Sequence, residues 1–199
     1  MICQNSSNVS DLNIRWATSK EAGEIARLFL ISSDGLAAYI WSRIDMPGLT
    51  LEQVGEARYA RTNTAFSYEN CLVATRRGEI VGMVHAFPME VDESGEEETD
   101  PVLRPYAELE DPGSLYVSGL AIHDRYRGQG IGGELMDCVS GLALAKGLSR
   151  ISLICFERNE GAQAFYRKRG FRELARRPIV PHPCLHYQDG DAVLLVGDR

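Results

Sequence analysis

Between Arg125 and Gly133 the chain carries two arginines and four glycines in nine residues. That composition suits an anion. Glycine lets the backbone come close to a ligand and take up positive φ. A helix that starts at such a turn has N–H groups with no partner inside the helix, and the positive end of its dipole points the same way. The expected ligand is therefore phosphorylated. Gly128, Gly130 and Gly133 also satisfy the dinucleotide spacing GxGxxG, with Glu157 near the place of a ribose-binding acid. Three features oppose that reading. Residues 123–127 separate the preceding apolar run from the first glycine, the paired arginines suit more phosphate than a bridging pyrophosphate, and little chain follows Glu157. No Gly-Lys-Ser/Thr follows the turn, which excludes a P-loop.

The elements around this turn follow from periodicity. Residues 115–122 read as a strand, and 130–146 as a helix with Ile131, Leu135, Val139, Leu142 and Ala143 on one face. A further strand over 151–156 and a short helix over 160–169 come next, then strands over 171–177 and 192–196. Upstream, residues 12–17 alternate as a strand, and three helical regions lie near 18–31, 36–44 and 50–59. Strands over 68–75 and 79–87 meet at Arg77 and Gly78 as a hairpin. Residues 88–113 form a long connection. The order predicts a mixed α/β sheet with helices on both faces. Residues 1–11 are expected to be a flexible lead-in and 12–199 a single domain.

Net charge is −7, which disfavours a nucleic-acid partner. Residues 90–111 hold ten acids against Arg104 alone, either a solvated loop or a rim that attracts a cationic substrate. Five scattered cysteines without CxxC spacing argue against disulfides and a zinc site, so no metal is expected, and Cys138 and Cys155 read as core residues. No apolar run is long enough for a membrane helix, and the first ten residues lack a signal-peptide pattern. The expected location is the cytoplasm.

Two blocks of the chain resemble the GNAT family of acyl-CoA-dependent N-acetyltransferases. The pyrophosphate motif, Arg/Gln-x-x-Gly-x-Gly/Ala, is met by Arg127, Gly130 and Gly132, after a strand ending Leu120, Ala121, Ile122. The downstream pattern is met by Asn159, Ala162, Phe165, Tyr166, Lys168, Gly170 and Phe171. Together the blocks cover about 115–171. The resemblance implies the GNAT fold: a twisted, mostly antiparallel sheet of about six or seven strands, splayed in a V between 115–122 and 151–156. It implies acetyl-CoA as co-substrate, with its pyrophosphate on Arg127, Gly128, Gln129, Gly130, Ile131, Gly132 and Gly133. Pantetheine would extend the open edge at Leu120, Ala121 and Ile122. Asn159 would hold the pantetheine arm, cap the short helix, or do both. A bulge at Gly119 would suit the splay; close packing is its other reading.

The same resemblance makes Tyr166 the acid that protonates the departing thiolate. Many family members carry a glutamate base where this chain has Ser118, which is a poor base. By alternation Tyr116 and Ser118 share a face with Leu120. They would line a water path to Glu90, Asp92, Glu108, Glu110 or His85. The implied reaction is direct acetyl transfer to a primary amine, cationic if the acidic segment faces it. Tyr39, Trp41, His182 and His186 either wall an acceptor pocket or are ordinary core and turn residues. The late strands allow a homodimer. A catalytically impaired acyl-CoA sensor is the rival reading, favoured by Ser118 and opposed by Tyr166.

Overall fold

The computed structural model describes residues 11–91 and 97–198. Residues 1–10 of the expected lead-in over 1–11 and the candidate base Asp92 lie outside them. One sheet contains β1 (Leu12–Trp16), β2 (Cys71–Arg76), β3 (Glu79–Pro88), β4 (Leu115–Ile122), β5 (Arg150–Phe156), β6 (Arg172–Pro178) and β7 (Asp191–Asp198). Their order is β1-β2-β3-β4-β5-β7-β6, antiparallel throughout except between β4 and β5. The β2–β3 hairpin turns on Arg77 and Gly78, with φ of 53° and 82°, the left-handed pair a two-residue hairpin needs.

Apolar periodicity decides which helix covers which face. α1 (Ala22–Ser32), α2 (Leu36–Ser42) and α3 (Leu51–Tyr59) bury Ile25, Leu28, Trp41 and Tyr59 against Val73 and Met83. α5 (Ile131–Ala145) and α6 (Glu160–Lys168) cover the opposite face, where Leu135, Met136 and Val139 meet Val84, Ile151 and Leu195. Each such fully buried aliphatic side chain contributes roughly 1.5–3 kcal/mol. The long connection contains a helix that periodicity does not announce, α4 (Arg104–Ala107). Its start is fixed from outside: Asp100 accepts from the amide of Val102 at 2.8 Å and from the hydroxyl of Tyr39 at 2.8 Å.

The parallel neighbours separate almost at once. β4 and β5 pair only at Leu115 with Ile151 and Tyr116 with Ser152. Beyond that, β4 stays with β3 and β5 stays with β7. The closed end of this V is clamped twice. Ser114 and Ser152, both fully buried, share a hydroxyl hydrogen bond of 2.6 Å, and Arg150 donates to Asp111 at 2.7 Å.

A bulge re-aims the middle of β4. His85 opposes Gly119 and Ala86 opposes Val117, so Ser118 is the extra residue. Leu115 and Val117 belong to the core under α5, and beyond the bulge Leu120 and Ile122 pack there. Ala121 belongs to the core under α1. Tyr116 meets Phe87 at 5.7 Å and Ser118 meets His85, both on the α1 side. Simple alternation therefore fails here: Tyr116 and Ser118 do not share a face with Leu120, because one inserted residue changes the parity of the strand. Gly119 also packs closely, since a Cβ there would lie 2.7 Å from Ser32 Oγ and 2.9 Å from the Phe29 ring.

Candidate functional site

A cleft of about 860 Å³ occupies the V and extends past α1. At one end lies the glycine turn. Gly128 and Gly130 have φ of 73° and 82°, and a Cβ on either would meet nothing within 4 Å. The glycines are required there by backbone conformation, and the space in front of them is open. Gly130 is the N-cap of α5, so the first-turn amides of Ile131, Gly132 and Gly133 open onto the cleft they line. Arg127 lines it too, its guanidinium 3.1 Å from Asp124 and its Nε donating to Ile122 O at 3.1 Å. Gln129 faces elsewhere: its Oε1 accepts from Arg76 at 2.6 Å and its Nε2 donates to Arg125 O at 3.2 Å.

Leu120, Ala121 and Ile122 form the β4 wall of the cleft, along the edge β5 has left. This open edge and the uncovered glycine turn fit the two parts of a coenzyme A molecule, its amide-bearing arm and its phosphates. Asn159 lines the same cleft as the N-cap of α6. Its Oδ1 accepts from Ala162 N at 3.1 Å, while its Nδ2 donates to Asp34 at 2.8 Å.

Three groups in or beside the cleft bear on proton movement. Tyr166 is 7% exposed and lines it. Burial, with Cys155 and Tyr116 nearby, pushes its phenol well above the ordinary tyrosine range, so the hydroxyl keeps its proton. Cys155 is the one cysteine among the described cleft residues, and burial pushes its thiol up to about 12, which leaves it a poor nucleophile. The third group is a pair. Ser118 Oγ lies 2.5 Å from His85 Nδ1, and His85 Nε2 lies 2.9 Å from the carbonyl of Ala65. A carbonyl only accepts, so Nε2 carries the ring proton; in the neutral ring Nδ1 then accepts from the Ser118 hydroxyl. The imidazole is fully buried among Phe29, Tyr59, Phe66 and Phe87, and desolvation pushes its pKa down to about 4. Sequence reading left His85 as one of five proton acceptors. Its depth comes from rings on four separate segments.

The far end of the cleft is lined by Phe29, Trp41, Phe66 and Tyr116, with Asp34 and Arg58 as its charged residues. Of the aromatic and histidine residues considered from sequence, Trp41 lines the cleft. Tyr39 is buried with its hydroxyl on Asp100, and His182 packs on that ring at 4.5 Å. His186 lies 3.6 Å from Asp34, and its amide donates to the Asp34 carbonyl at 2.9 Å. Asp34 and Gly35, legible only as a helix break, form a tight joint with φ of 47° and 95°. A Cβ on Gly35 would lie 2.0 Å from Cys184 O. Arg58 and Phe66 carried no sequence signal beyond residue type.

The described acids of the 90–111 segment do not line the cleft, although Tyr106 of that segment does. Asp100 pairs with Arg43 at 3.4 Å, Glu108 with Arg104 at 3.0 Å and Arg177 at 2.7 Å, and Asp111 with Arg150. Among the described residues no cluster of His, Cys, Asp and Glu could hold a metal, and no helix is long and apolar enough to cross a membrane.

Known proteins share this architecture. An acetyltransferase crystal structure matches at TM-score 0.63 and 21% identity, over 94% of this chain and 98% of its own. An N-acetyltransferase from Staphylococcus aureus Mu50 matches at TM-score 0.61 and 20% identity, over 93% and 100%. The yncA protein of Salmonella typhimurium, solved with its cofactor acetyl-CoA, matches at TM-score 0.62 and 16% identity, over 95% and 94%. At these identities the likeness is one of fold. In sequence, thialysine N-epsilon-acetyltransferase of Bos taurus is 33% identical over 61 residues, 31% of this chain. The chain spans about a third of the length of that relative and its Sus scrofa counterpart, 36% in each case. The profile of the acetyltransferase (GNAT) family matches residues 37–171, more than half of the chain, from within α2 to Phe171. With the splayed parallel strands and the glycine turn at their lip, that match settles the descent: the chain belongs to the GNAT acetyltransferase family.

Proposed function

We propose that this protein transfers the acetyl group of acetyl-CoA directly to a primary amine, with both bound in the one cleft. The observation that carries this is the continuity of the cleft, from the glycine turn along the open edge of β4 to an aromatic chamber. A relative matched over part of its length is an N-acetyltransferase, and a fold neighbour holds acetyl-CoA, which supports the same reading.

Acetyl-CoA supplies a thioester carbonyl: a C–N bond forms, the C–S bond breaks, one proton leaves nitrogen and one is needed at sulfur. Tyr166 supplies the proton to sulfur and recovers it from solvent; burial keeps it protonated until then. Ser118 accepts a hydrogen bond from the amine or from a water beside it. Its own hydroxyl hydrogen is directed at His85 Nδ1, so its lone pairs are left for the cleft. Because a charged imidazole is costly in that ring of aromatics, His85 acts as a positioning residue, and the amine proton leaves through water. Cys155, protonated at neutral pH, supports transfer without an enzyme-bound acetyl group.

The sensor reading rested on the missing glutamate. The Ser118–His85 pair offers a directed acceptor at that place and weighs against it. A panel of primary amines, with free-thiol detection and mass spectrometry of the products, tests the proposal. Acetyl-amine formation well above thioester hydrolysis is expected. Acetyl-CoA binding with no amine acetylated by any member would establish the sensor instead.

A further inference from the structure

Given the acetyltransferase reading, we propose that the acceptor carries a carboxylate beside its reactive amine and that Arg58 is the residue that receives it. Arg58 stands in the last turn of α3, half-buried, and lines the cleft. Its guanidinium lies over the Phe66 ring at 5.7 Å. Phe66 packs 5.3 Å from His85, which holds Ser118. The cation is thus three contacts away from Ser118, the group set to meet the amine.

The charge of Arg58 has no answer among the described residues. Arg127, the other arginine of the cleft, has Asp124 at 3.1 Å, and Arg43, Arg104, Arg150 and Arg177 each face a carboxylate. Arg58 faces none; the nearest charge acting on it is Arg61, of like sign, and burial and Arg61 together press its pKa down. A partly desolvated guanidinium beside another cation is an unfavourable arrangement that a bound anion relieves. With its Cζ over the Phe66 ring, the guanidinium keeps N–H groups that can take a carboxylate through two parallel hydrogen bonds.

The remaining chamber agrees. Its one described acid, Asp34, already accepts from Asn159 at 2.8 Å and lies 3.6 Å from His186. Asp34 sits among Asn159 and the 182–187 turn, Arg58 among the α3 and Phe66 wall. The described acids of 90–111, read from sequence as either a solvated loop or a rim for a cationic substrate, do not line the cleft, and Arg58 is the cation this chamber offers. Phe29, Trp41 and Tyr116 give the space between an apolar lining that suits a hydrocarbon or aromatic body. An apolar amino acid or ω-amino acid has the required chemistry; a polyamine does not.

The test uses matched amines with and without a carboxylate, such as phenylalanine with phenethylamine and 4-aminobutyrate with propylamine, followed by thiol release from acetyl-CoA. In at least one pair the carboxylated amine should have a kcat/KM at least tenfold higher. Arg58→Gln should collapse that ratio towards one, and Arg58→Lys should restore part of it. Ratios near one in every pair, or a ratio that Arg58→Gln leaves intact, overturn the proposal. A binding arm keeps it separate from the enzymatic reading. 3-Phenylpropionate, titrated calorimetrically into the CoA-loaded protein, should bind at least tenfold more weakly to Arg58→Gln; equal or undetectable binding to both overturns the assignment even if no amine is acetylated. An acetyl-CoA titration of each variant verifies that the fold stands.

Discussion

Removing the imidazole at position 85 should flatten the pH dependence of stability between pH 7 and pH 5. Burial lowers the His85 pKa from 6.5 to about 4. The native state therefore binds fewer protons than the unfolded chain between those values, and stability rises with pH across the window. The contribution is fully present above the unfolded pKa and is lost as pH falls towards the folded one; the whole difference is about 3 kcal/mol. Over the step from pH 7 to pH 5 linkage gives a loss of about 2 kcal/mol, or roughly 4–8 °C in Tm for a chain of this size. Salt-bridged carboxylates contribute little there. Glu21, held by Arg15, is lowered to about 2 and is affected only at more acid pH. Denaturant unfolding at closely spaced pH values reads the effect. His85→Gln, which keeps a donor for the Ala65 carbonyl, should start less stable and lose far less over the same interval. Equal pH slopes in the two proteins would refute the placement of a neutral, dry imidazole at the floor of the chamber.

Tyr166→Phe should leave acetyl-CoA affinity nearly intact while kcat falls ten- to a thousandfold, read by equilibrium titration and thiol release. Gly130→Ala forces a side chain into a left-handed conformation at a cost of roughly 1–2 kcal/mol, and with φ of 82° at the α5 N-cap it should weaken acetyl-CoA binding about tenfold. An unchanged dissociation constant for Gly130→Ala would remove the turn from the coenzyme site.

What could be read from sequence was whatever is local. The β4, α5 and α6 boundaries came within a residue or two of 115–122, 130–146 and 160–169, because a glycine turn, an N-cap asparagine and apolar periodicity act over a few residues. The glycine turn was legible for the same reason, whereas Tyr166 was named only through the family motif. Ser118 was named, but its partner His85 stood only as one of five acceptors, since the bulge beside Ser118 depends on the register of β3. Placing β7 between β5 and β6 is a matter of distant pairing. The acids of 90–111 looked like one patch because their arginines lie far along the chain, at 43, 150 and 177. Arg58 is an ordinary helix residue in sequence. Only the chamber around it reveals that its charge is unanswered.

The early parting of β4 from β5 leaves a strand in the middle of the sheet with one flank unpaired. Most proteins confine such flanks to the rim and blunt them there, because an exposed ladder invites another chain to add to it. Here the flank lies inside the fold, along the cleft, so the sheet has room for one more strand-like partner. A molecule that completes the ladder binds the native state and not the unfolded one, and at a hundredfold excess over its dissociation constant it adds about 2.7 kcal/mol of stability. If coenzyme A is that molecule, as proposed, the amount of intact protein would follow its supply.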